Sequence, residues 1–267
     1  MTADRNETAI HRRMTVGLGT FVSIEVHGPP AVEGAAALDA ACAALDRVES
    51  LMHPARAGSD IAALAAQPPG ELLRVHPWTF EVMTLARHVS VASGGRFDPC
   101  VPELAGRFAD LDFIPGDGLC RRRADLAVDL GGIAKGFAID RAVEALQRAG
   151  CVAGQVNVGG DLRVFGPDQA TVAIRVDRRI AGSVMLRDRA LAVSAPRSDH
   201  SPSEHRGFYC ALTGAVVAGR NVAIVAPTAA VADALTKCAL LCESEHFARL
   251  LTEFDAQEIE LRREDQP

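Results

Sequence analysis

Between Val16 and Val26 the chain alternates: Val22, Ile24 and Val26 point one way, Phe21, Ser23 and Glu25 the other, and Gly28-Pro29-Pro30 ends the run. A period of two predicts a half-buried strand. The period then changes. From Val32 to Met52, Leu38, Ala41, Cys42, Leu45, Val48, Leu51 and Met52 recur at three and four, which predicts an amphipathic helix stopped near Pro54. A short helix is expected over Ser59 to Leu64, capped by Ser59 or Asp60, and a long one over Thr79 to Ser93, closed by Gly94-Gly95. Arg96 to Pro99 then forms a loop. Asp125 to Leu130 reads as a short strand, Gly131-Gly132 as the turn after it, and Ile133 to Ala149 as a helix stopped by Gly150.

Gln155 to Val158 is again a strand followed by a double glycine. Val164, Thr171 to Val176, Ser183 to Leu186 and Leu191 to Ser194 follow as short strands divided by Gly, Pro and Asp. Pro196 to Arg206 is a polar loop, Val216 to Val225 a strand and Ala229 to Leu251 a helix. Helices and strands come in runs rather than in strict alternation. The expected class is therefore α+β, with mixed sheets and flanking helices, and not a doubly wound sheet. With 267 residues and no low-complexity linker, the chain suits one large domain or two closely packed lobes. We expect a flexible segment over residues 1–13, one domain over 14–251 and a tail over 252–267.

Composition narrows the function. A net charge of −6 opposes a broad phosphate-tracking surface, and 4% aromatics leaves few rings to stack on bases, so a nucleic-acid binder is not expected. A small anionic ligand needs only a few local donors. No stretch approaches ~20 uninterrupted apolar residues, so no membrane span is expected. The opening residues mix acids and bases without the apolar run of a signal peptide, and seven cysteines form no Cys-x-x-Cys pair. Both features favour a cytoplasmic protein with reduced thiols. Cys238, Cys242 and His246 would share a face if helical, either as metal ligands or, more simply, as small core residues.

The richest stretch runs from Val128 to Asp140. Gly131 and Gly132 let a ligand approach the backbone, the following helix offers a positive end, and Lys135 adds a mobile cation. Asp129, at the strand end, is placed to accept hydrogen bonds from a heterocycle or sugar. The same residues also describe an ordinary strand-to-helix turn with a solvated lysine. Asn157 to Asp161 repeats the strand-glycine pattern as a weaker signal. Near the C-terminus Asp233, Thr236 and Lys237 lie three and four apart on one helix face, where a carboxylate and a hydroxyl suit a hard cation such as Mg²⁺. An ordinary helical ion pair between Asp233 and Lys237 is the other reading.

In combination and order, these segments resemble the FAD:protein FMN transferase family, also called the ApbE family. Leu18-Gly19-Thr20 resembles its Met-Gly-Thr entry, Gly94-Gly95-Arg96-Phe97-Asp98-Pro99 its Gly-x-Phe-Asp-Pro loop, and Asp129 to Gly136 its Asp-Leu-Gly-Gly-Ile-Ala-Lys-Gly core. Val156 to Asp161 and Ala232 to Leu235 complete the series, so the resemblance spans roughly residues 14 to 251. It implies the family's fold and an enzyme that binds FAD as substrate with Mg²⁺ on the pyrophosphate. FMN would pass to a Thr or Ser of an acceptor flavoprotein, releasing AMP. It also implies that Leu18, Gly19, Thr20, Arg96, Phe97, Asp98, Asp129 and Lys135 touch FAD, and that Gly132 (through its carbonyl), Asp233 and Thr236 hold the metal. Asp233 and Lys237 carry the catalytic role.

The departures cluster at the metal. The family's second metal-binding side chain, a Thr four residues after the Asp, is replaced by Lys237. Thr236, one position earlier, is the replacement hydroxyl, unless the Lys237 ammonium stands in for part of the ion's charge. Of the His-x-x-Asp-Pro-x-Thr-Gly stretch only Thr213-Gly214 survives; Gly207 stands at the His position, Cys210 at the Asp position, and His205 lies two residues earlier. Ala55 stands where the family has a Tyr. The alternatives are a catalytically impaired FAD-binding or interaction module of the same fold, and an unrelated phosphate-ester enzyme using the Gly-Gly-Lys turn.

Overall fold

Leu18 and Gly19 both take positive φ, 52° and 70°. That pair folds the segment expected as one strand into a tight hairpin, β1 (Ala9–Gly17) against β2 (Thr20–Gly28). The computed structural model describes residues 9–28, 33–176, 179–194, 208–209, 212, 216–217 and 220–261.

After the hairpin come α1 (Gly34–Met52) and α2 (Asp60–Ala66), the latter capped by Ser59, whose Oγ accepts from the Ala62 N–H at 3.0 Å. Then follow β3 (Leu73–Arg74), α3 (Pro77–Ala92), β4 (Leu111–Ile114), β5 (Leu119–Arg122) and α4 (Ala134–Arg148). A run of strands succeeds them: β6 (Ala153–Val158), β7 (Asp161–Phe165), β8 (Ala170–Val176), β9 (Arg179–Leu186), β10 (Ala190–Ser194), β11 (Phe208–Tyr209), β12 (Val216–Val217) and β13 (Val222–Ala226). The described chain closes with α5 (Ala229–Leu241), α6 (Ser244–Glu253) and β14 (Gln257–Glu258).

Seven strands form one sheet in the order β1-β2-β6-β7-β10-β13-β14, and β3-β5-β4 form a second. The class is α+β as expected, but every pairing among the described residues is antiparallel, where mixed sheets were expected. One face of the large sheet, with Val22, Ile24, Val156, Val158 and Ile224, packs on α1, α4 and α5. The same core continues through the smaller sheet, so the two expected lobes share one interior. On the other face Leu162, Val164, Leu191 and Val225 are covered by Ile174 and Leu186 of the β8–β9 ribbon.

Four segments differ from expectation. Asp125 to Leu130 makes only one bridge, Cys100 to Val128, because Pro99 has no N–H to extend a ladder. The strand expected over Val216 to Val225 is two, β12 and β13. The helix expected over Ala229 to Leu251 breaks where Cys242 and Glu243 turn extended, which redirects α6 and brings Phe247 and Leu250 into the core. The terminal boundaries move as well. Residues 9–13 belong to β1, and β14 pairs with β13 through Ile224–Glu258 and Val225–Gln257, so neither end is a loose segment over its described part. The expected Pro196 to Arg206 loop, His205, Gly207, Cys210 and Thr213-Gly214 lie outside the described residues. Among the described residues no helix is long and apolar enough to cross a membrane.

Candidate functional site

Asp129 Oδ1 accepts from the Gly131 N–H at 2.8 Å, closing a tight turn that delivers the chain into α4. The residue before that helix, Ile133, brings no side-chain cap. The acceptor comes instead from α5, whose Asp233 Oδ2 takes the Gly136 N–H at 3.1 Å. This works only because position 136 is glycine: a Cβ there would collide with the Ala229 carbonyl. The favour is returned. Asp140 of α4 accepts from the first N–H groups of α5, Ala229 and Ala230, both at 2.9 Å, and from Arg163 at 2.8 Å. Each helix thus caps the other with a buried aspartate.

Two lysines face this junction. Lys135 Nζ lies 2.7 Å from Asp161 Oδ2, while Asp161 Oδ1 accepts the Val193 N–H at 2.9 Å. Asp161 stands directly after the β6–β7 turn, where Gly159 and Gly160 take φ of 62° and 104°. A Cβ on Gly159 would meet Thr20 at 2.8 Å, so this turn and the β1–β2 turn close the same end of the sheet. Lys237 Nζ is paired with Asp233 Oδ1 and also donates to the Asp233 carbonyl at 3.1 Å. Asp233 is fully buried, and the Lys237 side chain is 18% exposed. Burial would lower the Lys135 pKa, but Asp161 and Asp233 outweigh it and hold the ammonium above its ordinary value. Burial and the like charge of Asp233 push Asp161 upward, against the pull of Lys135 and Lys237.

Beside the junction lies a cavity of about 110 Å³ lined by Phe97, Asp98, Pro99, Asp129, Gly132, Lys237 and Leu241. A larger groove of about 830 Å³, between α3 and the β4–β5 turn, includes none of the motif residues. Of the residues read as touching FAD, Phe97, Asp98 and Asp129 meet at the small cavity, while Lys135, in the first turn of α4, is not among its lining residues. Asp98 is largely spent on the fold, accepting from Cys100 and Phe108 N–H groups at 3.1 and 3.2 Å. Arg96 points to Glu243 at 3.3 Å. Leu18, Gly19 and Thr20 form the β1–β2 turn, with the Leu18 N–H on Glu49 at 3.4 Å.

Thr236 does not face the cavity. Its hydroxyl donates to the Asp233 carbonyl at 2.7 Å inside the helix, and the residue is 1% exposed. The Cys238, Cys242 and His246 grouping also dissolves. The helix ends at Leu241, before Cys242; the two thiols stay in contact, but His246 Nε2 sits 2.7 Å from the Ala92 carbonyl, capping α3. Sequence reasoning gave no role to Asp161 or Asp140. The only signal for the first was an acid directly after a strand and two glycines.

A model of the ApbE family matches residues 18–261. An FAD:protein FMN transferase of Rhodobacter capsulatus is 28% identical over 201 residues, 63% of this chain and 38% of that protein. Another, of Treponema pallidum (strain Nichols), is 24% identical over 209 residues, 67% of this chain and 58% of its own length. The chain therefore spans less than two thirds of either relative. The crystal structure of the ApbE protein of Thermotoga maritima superposes with a TM-score of 0.81 at 20% identity, covering 96% of this chain and 97% of that one. At that identity the superposition speaks for the fold, and the family match, which takes in both glycine turns, both lysines and all of α5, places this chain in the ApbE family.

Proposed function

We propose that the chain is an FAD:protein FMN transferase. The observation that carries this reading is a cavity walled by Phe97 and Pro99 and lined by Gly132 and Lys237, next to a helix start whose first turn carries Lys135. Two ammonium groups suit a diphosphate, and a phenyl wall suits a flat heterocycle. A cavity of about 110 Å³ holds the phosphate part of FAD, with the two ends of the dinucleotide extending beyond it. In the reaction an acceptor Thr or Ser oxygen bonds to the flavin-side phosphorus, the bond to the bridging oxygen breaks, the hydroxyl proton is released, and AMP leaves. Catalysis of such a step is mostly positioning and charge neutralisation, which Lys135 and Lys237 would supply.

Mg²⁺, which the resemblance implies, does not suit the residues present. Asp233 has Oδ1 on Lys237 and Oδ2 on Gly136, Thr236 is turned inward, and among the described residues no three His, Cys, Asp or Glu side chains gather around a common point. The occupied carboxylate also favours a second reading, an FAD-binding module that has lost transfer. A cytoplasmic site of action belongs to the proposal too, supported by six free thiols among the described residues.

Incubation with FAD and candidate acceptor flavoproteins separates the readings. Transfer yields flavin fluorescence on the acceptor in a denaturing gel together with free AMP. Bound, unchanged FAD would support the module, and absence of FAD binding would overturn both.

A further inference from the structure

Asp233 and Lys237 are four residues apart on α5, a spacing that on an exposed helix makes a weak pair. This pair is not exposed. Asp233 has no solvent contact and uses its other oxygen to cap α4, so its charge must be balanced from within. The balancing group reaches it along a defined path. The Lys237 stem runs over Gly132, where an added Cβ would lie 3.7 Å from Cε and 3.8 Å from Cγ, and beside the Phe97 ring, 3.4 Å from the same point. Its head then ends on Asp233. Gly132 and Asp233 are two of the three positions from which a divalent cation was expected to be held, and Lys237 packs against both.

An ammonium group has three donors. Two are engaged on Asp233, through Oδ1 and the main-chain carbonyl, and the third is available to the cavity that Lys237 lines. A divalent ion at the same place would compete for oxygens already committed and would meet a fixed positive charge. We propose that Lys237 takes the place of the divalent cation, and that this site binds the FAD diphosphate through the paired ammonium groups of Lys135 and Lys237 without metal. The proposal rests on the FAD reading above. Because the cation is tethered to α5, its contribution does not vary with the metal concentration around the protein.

The test is FAD affinity, followed by quenching of flavin fluorescence, in EDTA and again in excess Mg²⁺, with riboflavin as the control that lacks a diphosphate. For the unaltered protein the FAD Kd agrees between the two conditions within about twofold. Lys237→Thr weakens FAD in EDTA by about tenfold or more, the size of a lost charge-assisted hydrogen bond, and leaves riboflavin unchanged. Mg²⁺ then recovers part of that loss, because a neutral oxygen has replaced the ammonium beside Asp233. Lys237→Arg keeps the charge and stays metal-independent. Tightening of FAD by about tenfold on adding Mg²⁺ to the unaltered protein overturns the proposal while leaving the FAD reading standing. Unchanged FAD affinity of Lys237→Thr in EDTA overturns it likewise. If FAD and riboflavin both fail to bind in every condition, the FAD reading falls and the lysine proposal with it. The comparison on the unaltered protein decides the matter even if Lys237→Thr does not fold.

Discussion

Gly136 shows how one missing side chain sets the distance between two helices. Its bare Cα lets α5 lie close enough for Asp233 to reach the α4 N-terminus, and the atoms an added methyl would meet belong to the backbone of Ala229 and Ala230. Backbone cannot swing aside as a side chain can. Gly136→Ala should therefore lower stability by about 3 kcal/mol, read from the shift of a denaturant titration midpoint; a loss within experimental error would mean that the helices have room to part. Lys135 supplies a pH signature. Burial opposes its charge, and Asp161 and Asp233 more than offset burial, so its folded pKa lies above the ordinary 10.5. The folded state holds that proton more tightly than the unfolded chain does. The associated stability is complete below pH 10.5 and is lost only as pH rises through the raised value. FAD affinity measured against pH should follow the same window, flat from neutrality to that point and falling beyond it; a decline starting near neutrality would count against Lys135 as the phosphate cation.

At the scale of elements, α4 and α5 form a mutually capped pair. Asp140 closes one end and Asp233 the other, and Arg163 neutralises Asp140 from β7. Asp140→Ala leaves two helix N–H groups and a guanidinium without their acceptor, and should cost about 3–5 kcal/mol in the same unfolding experiment. Asp140→Asn keeps an acceptor and should cost less. The cores of these helices were legible in the sequence because hydrophobic periodicity is local: the expected ranges of α1, α3 and α4 fall within about two residues of those found. What escaped was decided by partners distant in the chain. Leu18-Gly19 looked like part of a strand because a leucine at positive φ carries no sequence flag. The break at Cys242 and Glu243 has no proline or glycine to announce it and serves the burial of Phe247 and Leu250. Lys135 and Asp233 were visible as chemistry, and the helical ion pair of Asp233 with Lys237 was one of the two readings of its spacing, whereas the engagement of Lys135 with Asp161 and of Asp233 with the Gly136 N–H depends on bringing β7 and α5 to the start of α4.

Across the whole molecule, the antiparallel sheet divides the labour. One face is buried by α1, α4 and α5, the other by the β8–β9 ribbon, and the site forms at the sheet end where two glycine-bearing hairpins meet the α4 N-terminus. Most polar groups described there are already paired inside the protein, while Lys237, with one donor left over from Asp233, lines the cavity and Lys135 keeps a face open to solvent, its side chain 32% exposed. A ligand rich in phosphate oxygens is what this arrangement lacks. If it exists to move FMN, then FAD mixed with an acceptor flavoprotein should give equal amounts of AMP and of acceptor whose intact mass has grown by one FMN. Lys135→Ala should suppress both together while leaving riboflavin binding in place. AMP formed with no mass added to the acceptor, or a Lys135→Ala protein that transfers FMN as well as the original, would contradict it.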